Sequence, residues 1–183
     1  MGSPKTVVAG RFLLTDSNGA VRAVLGVNEQ GEVMFGLSDA RGNIRADVSV
    51  TAAGLPRVEL CDSAGNTRAL VCVDEQDAPA VSLYDSRMVR LVLRVNAEGP
   101  FVALADEQSR RQVTLVATRD TALALFQDPG GRAAVVAGIG ADQTAGFSVA
   151  GPGDKSRLQL AMRGDSTAGL VVSDPAGTIT TVP

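Results

Sequence analysis

Apolar and polar residues alternate along this chain in short stretches, and a turn cuts each stretch after about seven residues. Ile44, Ala46, Val48 and Val50 alternate with Arg45, Asp47 and Ser49. Thr51-Ala52-Ala53-Gly54 interrupts, and Pro56, Val58 and Leu60 then alternate with Arg57, Glu59 and Cys61. A period of two sends successive side chains to opposite faces of a strand. The first strand of this pair recurs as Val21-Arg22-Ala23-Val24-Leu25, Val89-Arg90-Leu91-Val92-Leu93 and Ala133-Ala134-Val135-Val136-Ala137. The second recurs as Phe35-Gly36-Leu37, Val81-Ser82-Leu83, Val102-Ala103-Leu104 and Leu170-Val171-Val172. No stretch keeps a spacing of 3.6, so the pattern predicts an all-β chain.

The turns repeat as well. Asp-x-x-Gly runs from Asp16 to Gly19, Asp39 to Gly42, Asp62 to Gly65, Asp128 to Gly131 and Asp174 to Gly177. Degenerate copies at Asp85, Asp106 and Gly151 complete a period of about 23 residues, the mark of a repeat architecture. The Asp accepts hydrogen bonds from backbone N–H groups just ahead of it, and a Gly three residues on takes the left-handed corner. These are the structural turns of three-residue hairpins. The second link, as in Asn28-Glu29-Gln30-Gly31 and Asn96-Ala97-Glu98-Gly99, is equally short. Two short links per unit predict an antiparallel meander of eight hairpins, about 16 strands.

A flattened parallel β-solenoid is the alternative. It would stack Arg22, Arg45, Arg68 and Arg90 about 4.8 Å apart, whereas a meander holds them about 10 Å apart. Open sheets rarely exceed about 10 strands without curling or closing. The meander is therefore expected to roll into a barrel-like or sandwich-like body, or to bury one face against other copies. Residues 1–10 read as a lead-in and 11–183 as a single β-repeat domain.

Leu83-Tyr84-Asp85 and the wider Asp-x-x-Gly-x-x-Arg rhythm resemble tyrosine-aspartate (Rhs-type) hairpin repeats. They are also similar to the strand repeats of phage and bacterial surface fibres. The likeness is one of rhythm; only one unit has the Tyr-Asp pair, and the Gly-Arg step that usually follows is absent there. It implies a shell, scaffold or fibre role and carries over no active-site residue.

Composition narrows the chemistry. The 183 residues include no His and no Trp, one Tyr and two Cys. That removes the usual general base, the commonest transition-metal ligand and most stacking platforms. With a net charge of −3, a broad phosphate-binding surface, and hence a nucleic-acid partner, is not expected. Of 17 basic residues only Lys5 and Lys155 are Lys. The Arg column of Arg22, Arg45, Arg68, Arg90 and Arg157 is expected to pair with turn Asp residues of neighbouring units. Cys61 and Cys72 share a face at non-equivalent positions and read as unbridged thiols.

Acidic turns at 28–32 and 74–77 lack the spaced carboxylates of a calcium loop. No Gly-x-Ser-x-Gly elbow occurs, and Gly138-Ile139-Gly140 lacks the Lys of a phosphate loop. The sequence thus points to no catalytic residue, no metal, no cofactor and no small-molecule substrate. No apolar run approaches the roughly 18 residues of a membrane helix, and the first ten residues read too weakly for a secretory signal. A place in the cytoplasm or in an assembled particle, without membrane insertion, is the expectation.

One trend along the array points to a partner. The outward face carries Arg22, Arg45, Asp47, Arg57, Glu59 and Arg68 in the early units. Later units place Val92, Phe101, Val116, Leu123, Leu125 and Val136 there, alongside Ala103 and Ala105. A sheet that is apolar on both faces is covered on both. Those six residues are the expected contact of a homo-oligomer or of a subunit in a larger assembly. The sequence therefore suggests a non-enzymatic structural or assembly protein. The alternative is a ligand-binding β module using turns at one end of its strands.

Overall fold

The computed structural model describes residues 6–182 except 87, 109, 129, 131–133, 152–156, 163–166, 174–175 and 177–178. Gly131, Asp174 and Gly177 lie outside the described residues. The chain divides into two compact units, residues 1–79 and 80–183. The first contains β1 (Arg11–Thr15), β2 (Val21–Val27), β3 (Val33–Ser38), β4 (Ile44–Val50), β5 (Pro56–Cys61) and β6 (Thr67–Val73). The second contains β7 (Pro79–Asp85) apart from its first residue, β8 (Met88–Asn96), β9 (Gly99–Ala105), β10 (Arg111–Ala117) and β11 (Ala122–Gln127). It continues with β12 (Ala134–Ile139), β13 (Ala145–Ala150), β14 (Arg157–Met162), β15 (Ala168–Ser173) and β16 (Ile179–Val182). There is no helix among the described residues.

Within each unit every strand pairs antiparallel with the next in sequence, which makes a meander and not a parallel coil. Neither unit closes into a barrel: among the described residues no pairing joins β1 to β6 or β7 to β16. The expected closure fails for a reason visible in the register. Leu14, Leu37 and Leu60 occupy one cross-strand row, and each stands two residues before its turn Asp. Leu83, Leu104 and Phe126 do the same in the second unit. The rows stay level with the turns, so no stagger accumulates, and a barrel requires a stagger.

The turns of the first unit are built as the sequence predicts. Asp39 Oδ1 accepts from the N–H groups of Arg41 (2.9 Å) and Asn43 (3.1 Å), and Asp16 and Asp62 repeat the pair. Asp39 N–H donates to Asn43 O, and the N–H groups of Gly19, Gly42 and Gly65 donate back to Asp16 O, Asp39 O and Asp62 O. Gly19, Gly42 and Gly65 sit at φ of +80°, +86° and +82°. A Cβ at any of the three meets nothing within 4 Å, so the backbone angle alone, and not crowding, calls for Gly there. Asn28 binds Gln30 and Glu32 in the same way, so both links of a repeat use one device. Asp77, at φ 57°, holds that corner where Gly is missing. In the second unit Asp128 accepts from the Gly130 N–H at 3.1 Å. Gly42→Val and Gly65→Val are each expected to cost about 1–2 kcal/mol, because a β-branched residue is forced to positive φ. Urea midpoints unchanged in both variants would contradict this.

Four Arg of the column, Arg22, Arg45, Arg68 and Arg90, each close their own turn. Arg22 lies 3.5 Å from Asp16, Arg45 3.8 Å from Asp39 and Arg90 3.2 Å from Asp85. The expected pairing with a neighbouring unit's Asp is corrected: the spacing of five or six residues lets the side chain fold back on its own hairpin. The link to the neighbour is made instead by Nε. Arg22 donates to Ser38 O, Arg45 to Cys61 O and Arg90 to Ala105 O, the carbonyl just before the following turn.

Candidate interaction surface

The bulge after each Asp turn decides which side chains share a face. In β4 the register steps between Leu37/Ala46 and Ser38/Ile44. Arg45 is the extra residue, and Ile44, paired with Ser38, lies on the side of Ser38, opposite Leu37 and Ala46. Ile44 therefore joins Val24 and Met34 around Gly36, and not Ala46, Val48 and Val50 as plain alternation suggests. With that correction one face of the first unit is wholly apolar. Its first row reads Leu14, Ala23, Leu37, Ala46, Leu60, Ala69 across the six strands. Its second reads Phe12, Leu25, Phe35, Val48, Val58, Val71, and Val27, Val33, Val50 and Pro56 form a third.

This face is open. The three Leu of the first row, the whole second row and Val27, Val33 and Val50 are between 41% and 64% exposed. Among the described residues the buried positions are Ala23, Gly36, Ser49, Ala78 and Ala103, and no large side chain is completely buried. The second unit has a matching apolar row, Leu83, Leu91, Leu104, Val113, Phe126, Val135, Val149, Leu158 and Val172. Each unit is thus a single sheet layer, and a domain core needs two.

The opposite face of the first unit is mixed: Leu13, Val24, Met34, Ile44 and Leu70 share it with a polar patch on β4 and β5. Asp47 and Glu59 stand directly across from each other, as do Ser49 and Arg57. Arg57 Nε donates to Ser49 Oγ (3.0 Å), Ser49 Oγ donates to Asp47 (2.8 Å), and the Arg57 guanidinium reaches Glu32 at 3.8 Å. Glu59 accepts from the Thr67 hydroxyl. Burial, with the negative charges of Glu59, Asp47 and Asp62, pushes the Cys61 thiol up, which makes it a poor nucleophile. Cys61 and Cys72 are both free.

The six residues expected to form a contact are brought together on one face of the second unit. Phe101, Val116 and Leu123 are successive members of one cross-strand row, and Leu125 and Val136 face each other in the next, on which Val92 also lies. All six are half-buried, whereas the first-face residues Leu93, Leu104, Leu115 and Phe126 of the same strands are exposed. Beside them is a hollow of about 320 Å³ lined by Leu123, Val136, Gly138, Gly146, Ser148 and Gln159, with Asp142 and Thr144 at its edge. It exists because Gly138 and Gly146 face each other across the ladder. The face that is most open is therefore one that sequence patterning assigns to the interior.

No group of His, Cys, Asp and Glu among the described residues is placed to hold a metal ion. No helix among them is long and apolar enough to cross a membrane. No protein-family model matches this chain, and no curated protein matches it in sequence.

Proposed function

We propose that this chain is a non-enzymatic structural protein, a β-repeat scaffold that self-associates or is built into a larger protein assembly. The observation that carries the reading is the uninterrupted apolar face of the first unit. Its twelve large side chains, each about half exposed, present on the order of 1,000 Å² of apolar surface. Folded monomers seldom expose patches above about 300–600 Å². A second apolar surface on the second unit, around Phe101 and Leu123, gives the scaffold another contact.

The mass in solution tests this. The protein is expected to sediment as an oligomer at micromolar concentration. Phe101→Asp together with Leu123→Asp is expected to lower that mass, and Arg57→Asp in the polar patch to leave it unchanged. A monomer at high micromolar concentration that binds no protein partner would overturn the reading.

A further inference from the structure

The first row of the open face in the first unit has a pattern that apolarity alone does not explain. Large and small residues alternate strictly along it: Leu14, Ala23, Leu37, Ala46, Leu60, Ala69. The Leu residues are 64%, 43% and 50% exposed, while Ala23 between Leu14 and Leu37 is 8% exposed. Strands lie about 4.8 Å apart, so the row is a line of knobs and holes repeating every two strands, about 9.6 Å. The corresponding row of the second unit begins Leu83, Leu91, Leu104, Val113, Phe126 and has no such holes. Facing sheets pack densely when large residues of one layer meet small residues of the other.

The strand count makes this row complementary to itself. Six strands carry Leu on β1, β3 and β5 and Ala on β2, β4 and β6. A twofold axis running along the strands, between β3 and β4, lays the row on its own reverse. Every Leu then falls on an Ala with no strand left over. Leu37 meets Ala46 of the partner subunit, Leu14 meets the partner subunit's Ala69, and Leu60 meets the partner's Ala23. An isologous contact of this kind is the commonest symmetry of homo-oligomers.

We infer that two copies of this chain pair through the open apolar face of the first unit, Leu14, Leu37 and Leu60 of each seating over Ala69, Ala46 and Ala23 of the other. The inference rests on the self-association proposed above and names its surface and register. The area agrees, since about 1,000 Å² on each side exceeds the roughly 800 Å² per partner of a stable interface. The face also carries no charge, so it offers nothing to an acidic or basic partner.

The test uses Leu37→Ala, Ala46→Leu and the two together, with the dimer dissociation constant read by sedimentation equilibrium and folding followed by circular dichroism. Ala46→Leu adds apolar surface but fills a hole, and is expected to weaken pairing about ten- to a hundredfold. Leu37→Ala removes the knob and is expected to weaken it similarly. The double variant exchanges knob and hole at one contact and is expected to recover most of the wild-type affinity. In wild-type protein mixed from two isotope labellings, intermolecular methyl NOEs between Leu37 and Ala46 are expected.

Pairing as tight or tighter in Ala46→Leu, or a double variant no better than the singles, overturns the inference. So does a missing Leu37–Ala46 NOE in a sample that sediments as a dimer. Self-association lost with Phe101→Asp and Leu123→Asp but unaffected by Leu37→Asp overturns it and leaves the scaffold reading standing. A monomeric wild-type protein overturns both.

Discussion

Melting temperature is expected to stay level from pH 7 to pH 5 and to fall steeply between about pH 4 and pH 2. The cause is the repeated turn. Backbone N–H groups, that of Asn18 first and that of Ala20 with it, hold the Asp16 carboxyl below its usual 3.8, and Arg22 adds to them. Asn66, through its backbone and its side chain, does the same to Asp62. At Asp39 partial burial works the other way, but the N–H groups of Asn43 and Arg41 outweigh it. Arg110, bonded through its side chain, pulls Asp106 furthest, down to about 2.

The sign follows from linkage. A carboxyl whose folded value lies below its unfolded value stabilises the fold fully above about 3.8, and that contribution is lost as pH falls through the folded value. The same device stands at several turns, so the losses accumulate in one window. Asn can occupy the position, since Asn28 accepts the same two N–H bonds. Asp39→Asn with Asp62→Asn is therefore expected to fold and to show a shallower acid transition. A melting temperature unchanged down to pH 2 in the wild-type protein would show that these turns do not hold their Asp residues ionised.

Gly138→Val is expected to cost about 3 kcal/mol, among the larger effects of overpacking. Gly138 pairs with Leu123 on one side and Gly146 on the other. A Cβ at Gly138 would stand 2.7 Å from the Leu123 Cα and press on the Ala122 carbonyl. Those are backbone atoms, so relief requires β11 and β12 to part. Gly169, opposite Ala161, supplies the control, because a Cβ there meets nothing within 4 Å. Gly169→Ala is expected to shift stability by no more than about 0.5 kcal/mol. Urea unfolding of the two variants side by side makes the comparison, and equal midpoints would contradict it.

Much of this fold can be read from the residues before any coordinates. The Asp and Gly spacing places the turns, and the period of two places the strands. Together they bring Phe101, Val116 and Leu123 into one row. Ile44 shows what alternation misses. The turn inserts an extra residue at the strand entrance, and a period of two has no symbol for a bulge. The missing closure was legible in principle. Leu14, Leu37 and Leu60 each stand two residues before an Asp, which already says that the strands do not stagger. Which face lies open is a different kind of fact. Phe12, Phe35 and Val48 look like core residues in any reading of hydrophobicity, and only a count of layers shows that nothing within their own unit covers them.

The Arg bridges carry a kinetic consequence. Arg22 reaches Ser38 and Arg45 reaches Cys61, 16 residues on in each case, and within each unit each strand pairs with its neighbour in sequence. β proteins usually fold slowly because distant segments must meet before any contact rewards the lost chain freedom. Here each new strand closes a loop of only a few residues, at the small entropy that short loops demand. The chain can add hairpins in the order in which a ribosome delivers them. Were the faces to pair as inferred above, the slow step would be their meeting, which depends on how much protein is present and not on the search within one chain.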